Sequence, residues 1–173
     1  FSAGAPVPGR VLGRLKSQLP TGAQIHTPYG ATEALPVASI TAEEVLRETQ
    51  AATDRGAGVC VGRRFEDIQW RVIPICDTPL EDLPEAMPQG QIGELVVAGE
   101  VVTRQYVTRR EANRWAKICV GDTLWHRMGD VGYLDDADRF WFCGRMAHRV
   151  QTEAGTLFTV PCEAVFNTHR GIY

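Results

Sequence analysis

At 173 residues, 44% hydrophobic and 23% charged, the chain has a globular composition with room for one core or two small ones. A net charge of −3 leaves no basic footprint and argues against nucleic acid as a partner. Cys60, Cys76, Cys119, Cys143 and Cys162 are odd in number, scattered and without a Cys-x-x-Cys pair. Neither a disulfide framework nor a zinc site is expected from them, and they read as reduced thiols of a cytoplasmic protein. No run approaches the ~18 apolar residues of a membrane span, and the start does not resemble a signal peptide. The chain opens at Phe1-Ser2-Ala3-Gly4 without methionine and stops in Gly171-Ile172-Tyr173, which reads as a continuing segment, so a piece of a longer protein is expected.

In chain order, Gly4-Ala5-Pro6-Val7-Pro8 predicts a turn that launches a helix. Val11, Leu12, Leu15 and Leu19 share one face of it before Pro20-Thr21-Gly22 ends it. Gln24-Ile25-His26 predicts a short strand leading into a turn at Pro28-Tyr29-Gly30, where proline fixes one torsion and glycine frees the next. Thr41 with Glu44 predicts a capping box for a helix to about Thr49, and the glycines between Thr53 and Gly62 predict a loop. Gln69 to Ile75 reads as a strand whose Pro74 suggests a sheet edge or a bulge. Leu80 to Gly93 reads as an exposed loop, Glu94 to Ala98 and Val101-Val102 as extended pieces, and Thr108 with Glu111 as the cap of a helix to about Ile118. Val131–Leu134 and Phe140–Cys143 predict hairpin arms around Asp135 to Arg139, and His148–Val150 can pair with Leu157–Thr159.

Several residues could carry chemistry. In Tyr29-Gly30-Ala31-Thr32-Glu33, tyrosine offers a stacking face, threonine a hydroxyl and glutamate a carboxylate, a set suited to a nucleotide with Mg²⁺. The alternative is a helix cap at Thr32 and Glu33. Asp130 follows a glycine at an expected strand end and could accept two hydrogen bonds from a ribose diol, or could be a turn aspartate. Arg145 after Gly144 could reach phosphate or ribose, or could be a surface arginine. Asp135, Asp136 and Asp138 resemble the start of a calcium loop but lack the later glycine and glutamate, so a solvated hairpin turn is expected. His26, His148 and His169 show no metal-ligand spacing.

The order Gly4-Ala5-Pro6, Tyr29-Gly30-Ala31-Thr32-Glu33, Gly93-Glu94-Leu95 with Gly99, Arg127-Met128-Gly129-Asp130 and Gly144-Arg145 resembles the adenylate-forming superfamily of acyl- and aryl-CoA synthetases, adenylation domains and luciferases. The resemblance implies that Gly4, Ala5 and Pro6 lie against adenine and that Tyr29 stacks near it, with Gly30 and Ala31 in the same nucleotide-binding segment. It implies that Thr32 meets phosphate, Glu33 holds Mg²⁺, Asp130 binds the ribose hydroxyls and Arg145 lies near an interdomain hinge. Three positions depart from the usual pattern: Met128 where threonine is usual, Ala147 where the hinge aspartate or lysine is usual, and Gln105 in place of the glycine of a Gly-Tyr pair. The phosphate loop would precede Phe1 and the catalytic lysine would follow Tyr173.

Within the superfamily, four stretches look most like the β-lactone synthetases of olefin biosynthesis. They are Tyr29 to Ser39, Arg55 to Gly62, Phe142 to Arg145 and Gly155 to Asn167. The implied fold is mixed: the edge of an α/β nucleotide-binding layer over residues 1–62, a distorted antiparallel β-barrel subdomain over 63–145, and a hinge with the start of a small domain over 146–173. The implied function is ATP- and Mg²⁺-dependent activation of a long-chain 2-alkyl-3-hydroxy acid, then closure to a β-lactone with release of AMP. The expected partner is this small-molecule acid or a fatty acid, and a complex with pathway enzymes stays open. A fatty acyl-CoA or acyl-AMP ligase is the alternative, and a non-catalytic adenine-nucleotide-binding module a third. Ala34, Leu35, Pro36 and Val37 are expected near the alkyl chain or in the core, and this piece alone is expected to be inactive.

Overall fold

The computed structural model describes residue 1 and residues 4–172, so Ser2 and Ala3 of the expected opening turn and Tyr173 of the closing segment lie outside the described residues. Within them an antiparallel sheet of eight strands carries the fold. Its strands are β1 (His26–Ala31), β2 (Ala34–Thr41), β3 (Val59–Arg64), β4 (Gln69–Ile73), β5 (Gly93–Ala98), β6 (Lys117–Val120), β7 (Thr123–Leu134) and β8 (Phe140–Arg145). The order across the sheet is β1-β2-β3-β8-β7-β5-β4, with β6 paired to β7 off that path. β4 thus lies at an edge, as Pro74 after it suggests. β9 (Val150–Thr152) and β10 (Gly155–Leu157) form a separate hairpin, slightly shifted from the expected pairing.

Strand alternation explains how the sheet is buried on two faces. Along β5, Leu95 and Val97 join Val37, Val61, Val72, Met128 and Phe140 in one apolar cluster. The intervening Val96 and Ala98 join Ile73, Ile118 and Trp125 in another. β5 is therefore buried at every position, and it sits between β4 and β7.

The first helices of the chain pack at the β1–β2 end. α1 (Gly9–Lys16) places Leu12 against Ile25 and Ala42, but Val11, Leu15 and Leu19 of the expected apolar face stay exposed. The Thr41–Glu44 capping box forms as expected and starts a run through α2 (Ala42–Glu44), a π turn (Val45–Thr49) and α3 (Gln50–Thr53). Among the described residues no helix is long and apolar enough to cross a membrane.

Four local expectations change. Pro28, Tyr29 and Gly30 lie within β1, and the turn moves to Thr32 and Glu33, so the helix-cap alternative for those two is excluded because β2 follows directly. The loop expected from Thr53 to Gly62 is a loop only from Asp54 to Gly58, since Thr53 ends α3 and β3 pairs with β8 from Val59 and with β2 at Arg63 and Arg64. Val101-Val102 makes a single bridge, Val102 to Ala34, and no strand. The helix expected from Thr108 is one turn of 3₁₀ helix (Arg110–Ala112) and α4 (Asn113–Ala116), without a side-chain cap. Lys117 to Val120 are drawn into pairing with β7, and that tertiary contact outweighs helical propensity. The hairpin of β7 and β8 is as expected. Asp135 holds its turn, accepting hydrogen bonds from the backbone nitrogens of Ala137 and Arg139 and from the side chains of Arg139 and Trp141.

Candidate functional site

Three of the expected residues meet at one point although they come from β1, β7 and β8. Asp130 and Arg145 are direct cross-strand partners, with Arg145 Nη1 2.9 Å from Asp130 Oδ1. Asp130 lies inside β7, not at its end, just after Gly129, whose φ of 66° is the left-handed value that glycine adopts freely. From β1 the Tyr29 hydroxyl donates to Asp130 Oδ2 at 2.5 Å, while its ring packs near Phe140 and Phe142 at 5.9 and 6.4 Å between centroids.

The carboxylate is not fully satisfied. Arg145 Nη1 aligns its N–H on the carbonyl oxygen of Met128 at 2.9 Å, so Asp130 Oδ1 has a charge beside it but no aligned donor among the described residues. Asp130 is 4% exposed, and burial pushes its carboxyl up from the usual range against the opposing pull of the Tyr29 hydroxyl and Arg145. Burial and the neighbouring carboxylate likewise push the Tyr29 phenol well up, which keeps the shared proton on Tyr29.

Glu33 occupies the turn between β1 and β2. Its backbone oxygen accepts from Thr103 N at 2.8 Å, and its Oε1 accepts from the Tyr106 hydroxyl at 2.7 Å. That hydroxyl holds the Glu33 carboxyl below the usual range despite partial burial. Beneath lies His126, 3% exposed and pushed down to about 4 by burial, with Nδ1 3.0 Å from the Ala116 carbonyl oxygen. Glu33, Tyr106 and Gly129 line a cavity of about 440 Å³ together with the Glu94–Arg127 pair, Trp115 and Met146. Glu33 and the strand that carries Asp130 thus border one space.

The remaining expected residues stand apart. Thr32 is exposed, Gly30 and Ala31 are half-buried, and Gly4, Ala5 and Pro6 are exposed with no hydrogen bond to the Asp130 cluster among the described residues. Gly30 does not take a left-handed φ. Its requirement is steric, because a Cβ there would meet the Ala34 carbonyl oxygen at 2.5 Å. The four residues expected near an alkyl chain divide: Ala34 and Val37 are core, whereas Leu35 and Pro36 are exposed. Met128 points into the core. Sequence reasoning missed Tyr106, Asn113, Lys117 and His126, since no local pattern ties them to a carboxylate more than seventy residues earlier.

The chain is similar to known proteins in sequence and in fold. A family model described as AMP-binding enzyme matches residues 1–107. A protein named olefin beta-lactone synthetase from Stenotrophomonas maltophilia (strain K279a) is 48% identical over 99% of the chain and 32% of its own length. Another of that name from Xanthomonas campestris pv. campestris is 45% identical over 97% and 31%. The chain therefore spans about a third of the length of these relatives. Among solved structures, unliganded O-succinylbenzoate coenzyme A synthetase (MenE) from Bacillus subtilis matches with a TM-score of 0.72 at 19% identity, over 97% of this chain and 32% of that one. The same enzyme in complex with ATP and magnesium ion matches with a TM-score of 0.67 at 18% identity, over 90% and 28%. The fold is that of part of the N-terminal domain of adenylate-forming enzymes, and the chain belongs to the AMP-binding enzyme family.

Proposed function

We propose that the full-length protein uses ATP and Mg²⁺ to convert a long-chain 2-alkyl-3-hydroxy acid to its acyl-adenylate and then to a β-lactone. The observation that carries this reading is the near-half identity, over almost the whole chain, with two proteins named olefin beta-lactone synthetase. The first step forms a bond between carboxylate oxygen and the α-phosphorus and releases pyrophosphate. In the second, the substrate's own 3-hydroxyl attacks the activated carbonyl, AMP leaves and the hydroxyl proton is lost. Holding that hydroxyl beside the carbonyl replaces an encounter with an intramolecular step, worth as much as ~7–11 kcal/mol of barrier in well-oriented systems.

The site chemistry supports the nucleotide part. Asp130 Oδ1 is a buried acceptor lacking an aligned donor, which suits a ribose hydroxyl, and Tyr29 and Arg145 hold the carboxylate in place for it. Among the described residues no other side chain hydrogen-bonds to Glu33 Oε2, while Oε1 is held by Tyr106. A single free carboxylate oxygen fits Mg²⁺, which is commonly held by one or two carboxylates plus substrate phosphates. When bound, that ion would neutralise charge on the phosphates. In this reading Thr32, exposed beside Glu33, meets phosphate, and Gly4, Ala5 and Pro6 border adenine from the start of the chain.

The test is mass spectrometry of products after full-length protein meets ATP, Mg²⁺ and a 2-alkyl-3-hydroxy fatty acid, with and without coenzyme A. A product lighter than the acid by one water, formed without coenzyme A, is the expected result. A thioester that forms only with coenzyme A would replace the lactone reading with that of an acyl-CoA ligase.

A further inference from the structure

The Glu33 carboxylate is held from a segment far outside its own motif. Val102 bridges to Ala34, and Thr103 N donates to the Glu33 carbonyl oxygen, so residues 102–103 run against the β1–β2 turn. Three residues on, the Tyr106 hydroxyl reaches Glu33 Oε1 at 2.7 Å. Tyr106 is itself fixed by a two-point clamp. Its N–H donates to Asn113 Oδ1 at 2.7 Å, and Asn113 Nδ2 donates to its carbonyl oxygen at 3.3 Å. Lys117 Nζ lies 6.0 Å from the centroid of its ring.

We propose that Tyr106 is a positioning residue that presents Glu33 to a divalent cation, with Asn113 fixing Tyr106; this rests on the role of Glu33 given under Proposed function. A free glutamate must lose rotamer freedom when it takes a ligand, and a side chain pinned beforehand has already lost it. A hydroxyl is the suitable pin because it is neutral. It orients one carboxylate oxygen without neutralising the charge that a cation needs, whereas a lysine or arginine in its place would compete with the metal. The ring of Tyr106 lines the same cavity as Glu33, so the pin acts from the wall of the site.

The experiment titrates Mn²⁺ into the full-length protein in the presence of α,β-methylene ATP and counts bound metal by electron paramagnetic resonance. Tyr106→Phe removes the hydroxyl alone, and it should weaken Mn²⁺ about tenfold, the size expected for a hydrogen bond to a charged group. Circular dichroism and the unfolding midpoint should stay near those of the parent. Asn113→Ala should weaken Mn²⁺ in the same direction by less. In a Glu33→Gln background Tyr106→Phe should add nothing, because its effect passes through that carboxylate. Wild-type Mn²⁺ affinity in Tyr106→Phe, with Glu33→Gln weakened, would overturn the inference and leave the reading of Glu33 standing. An equal loss from Tyr106→Phe in both backgrounds would reassign Tyr106 to general structure. Unchanged affinity in Glu33→Gln would remove the metal role of Glu33, and the inference with it.

Discussion

Glu94 of β5 and Arg127 of β7 form an ion pair with both side chains almost wholly buried, Arg127 Nη2 lying 2.6 Å from Glu94 Oε2. Arg127 Nε also donates to both carboxylate oxygens at 3.1 Å, and its two terminal nitrogens donate to the carbonyl oxygens of Thr78 and Cys76 at 2.8 and 2.6 Å. The pair therefore anchors the loop after β4 beneath the cavity. Removing one partner leaves the other charge buried alone, which costs about 3–5 kcal/mol, whereas an apolar pair of similar volume can be neutral. Arg127→Met should lower stability by that amount in urea unfolding, and Glu94→Leu with Arg127→Met should recover a large part of it. A double variant as unstable as the sum of the singles would contradict the coupling.

His126 makes stability depend on pH in a defined window. Its folded value of about 4 lies below the ~6.5 of an unfolded histidine, so the unfolded chain takes up the proton first. The neutral, buried form contributes fully above ~6.5, and that contribution is lost as pH falls from there toward 4. The loss comes to roughly 3 to 4 kcal/mol at 1.36 kcal/mol for each pH unit. His126→Gln can keep a donor for the Ala116 carbonyl oxygen but has no proton to gain, so its unfolding free energy should fall less steeply between pH 6.5 and 5. Parallel pH curves for the two proteins would show that His126 does not set the slope.

Local signals that need only neighbours were legible in the sequence. The Thr41–Glu44 capping box and the hairpin around Asp135 each depend on contacts within a few residues, and both form. What the sequence hid depends on distant partners. Gly30 reads as a hinge, yet its small size is required because β2 turns back across it, and the turn falls two residues later. Lys117 reads as helical until β7 pairs with it. In the candidate site, Asp130 and Arg145 could be named from motif order, but their meeting with Tyr29 requires β1, β7 and β8 to converge. Tyr106 belongs to the Gly-Tyr pair that Gln105 breaks, but nothing in that pair points to Glu33, and it is the pairing of residues 102–103 with the β1–β2 turn that brings them together.

Four of the five thiols should separate by environment. Burial pushes Cys60 up to about 11 and Cys143 up to about 12, so neither supplies thiolate near neutral pH. Cys119 is exposed, and Cys76 is half-buried with its thiol held low by Thr78. Iodoacetamide at pH 7.5 should therefore modify Cys76 and Cys119 first, with Cys60 and Cys143 reacting only when urea opens the sheet. Peptide mass mapping over time reads the order directly, and early labelling of Cys143 would mean that the β8 end of the sheet opens under native conditions.

Asp130 should show a division between binding and stability. Its carboxyl is pushed up by burial, so the ionised form is held in the fold at a cost that Tyr29 and Arg145 only partly offset. Arg145 has half of its side chain in solvent and does not depend on the ion pair for its own stability. Asp130→Asn removes the charge at nearly constant volume, so the unfolding midpoint should stay within a few degrees of the parent or rise. Under the proposed function the same change converts an acceptor facing the ribose hydroxyls into an amide, and it should weaken ATP by about 10- to 100-fold, the range for a hydrogen bond to a charged group. Nucleotide titration and thermal unfolding on the same samples separate the two effects. Loss of stability without loss of ATP affinity would make Asp130 a structural carboxylate and move the ribose contact elsewhere, whereas lost affinity at full stability is the pattern of a site that gives up stability for function.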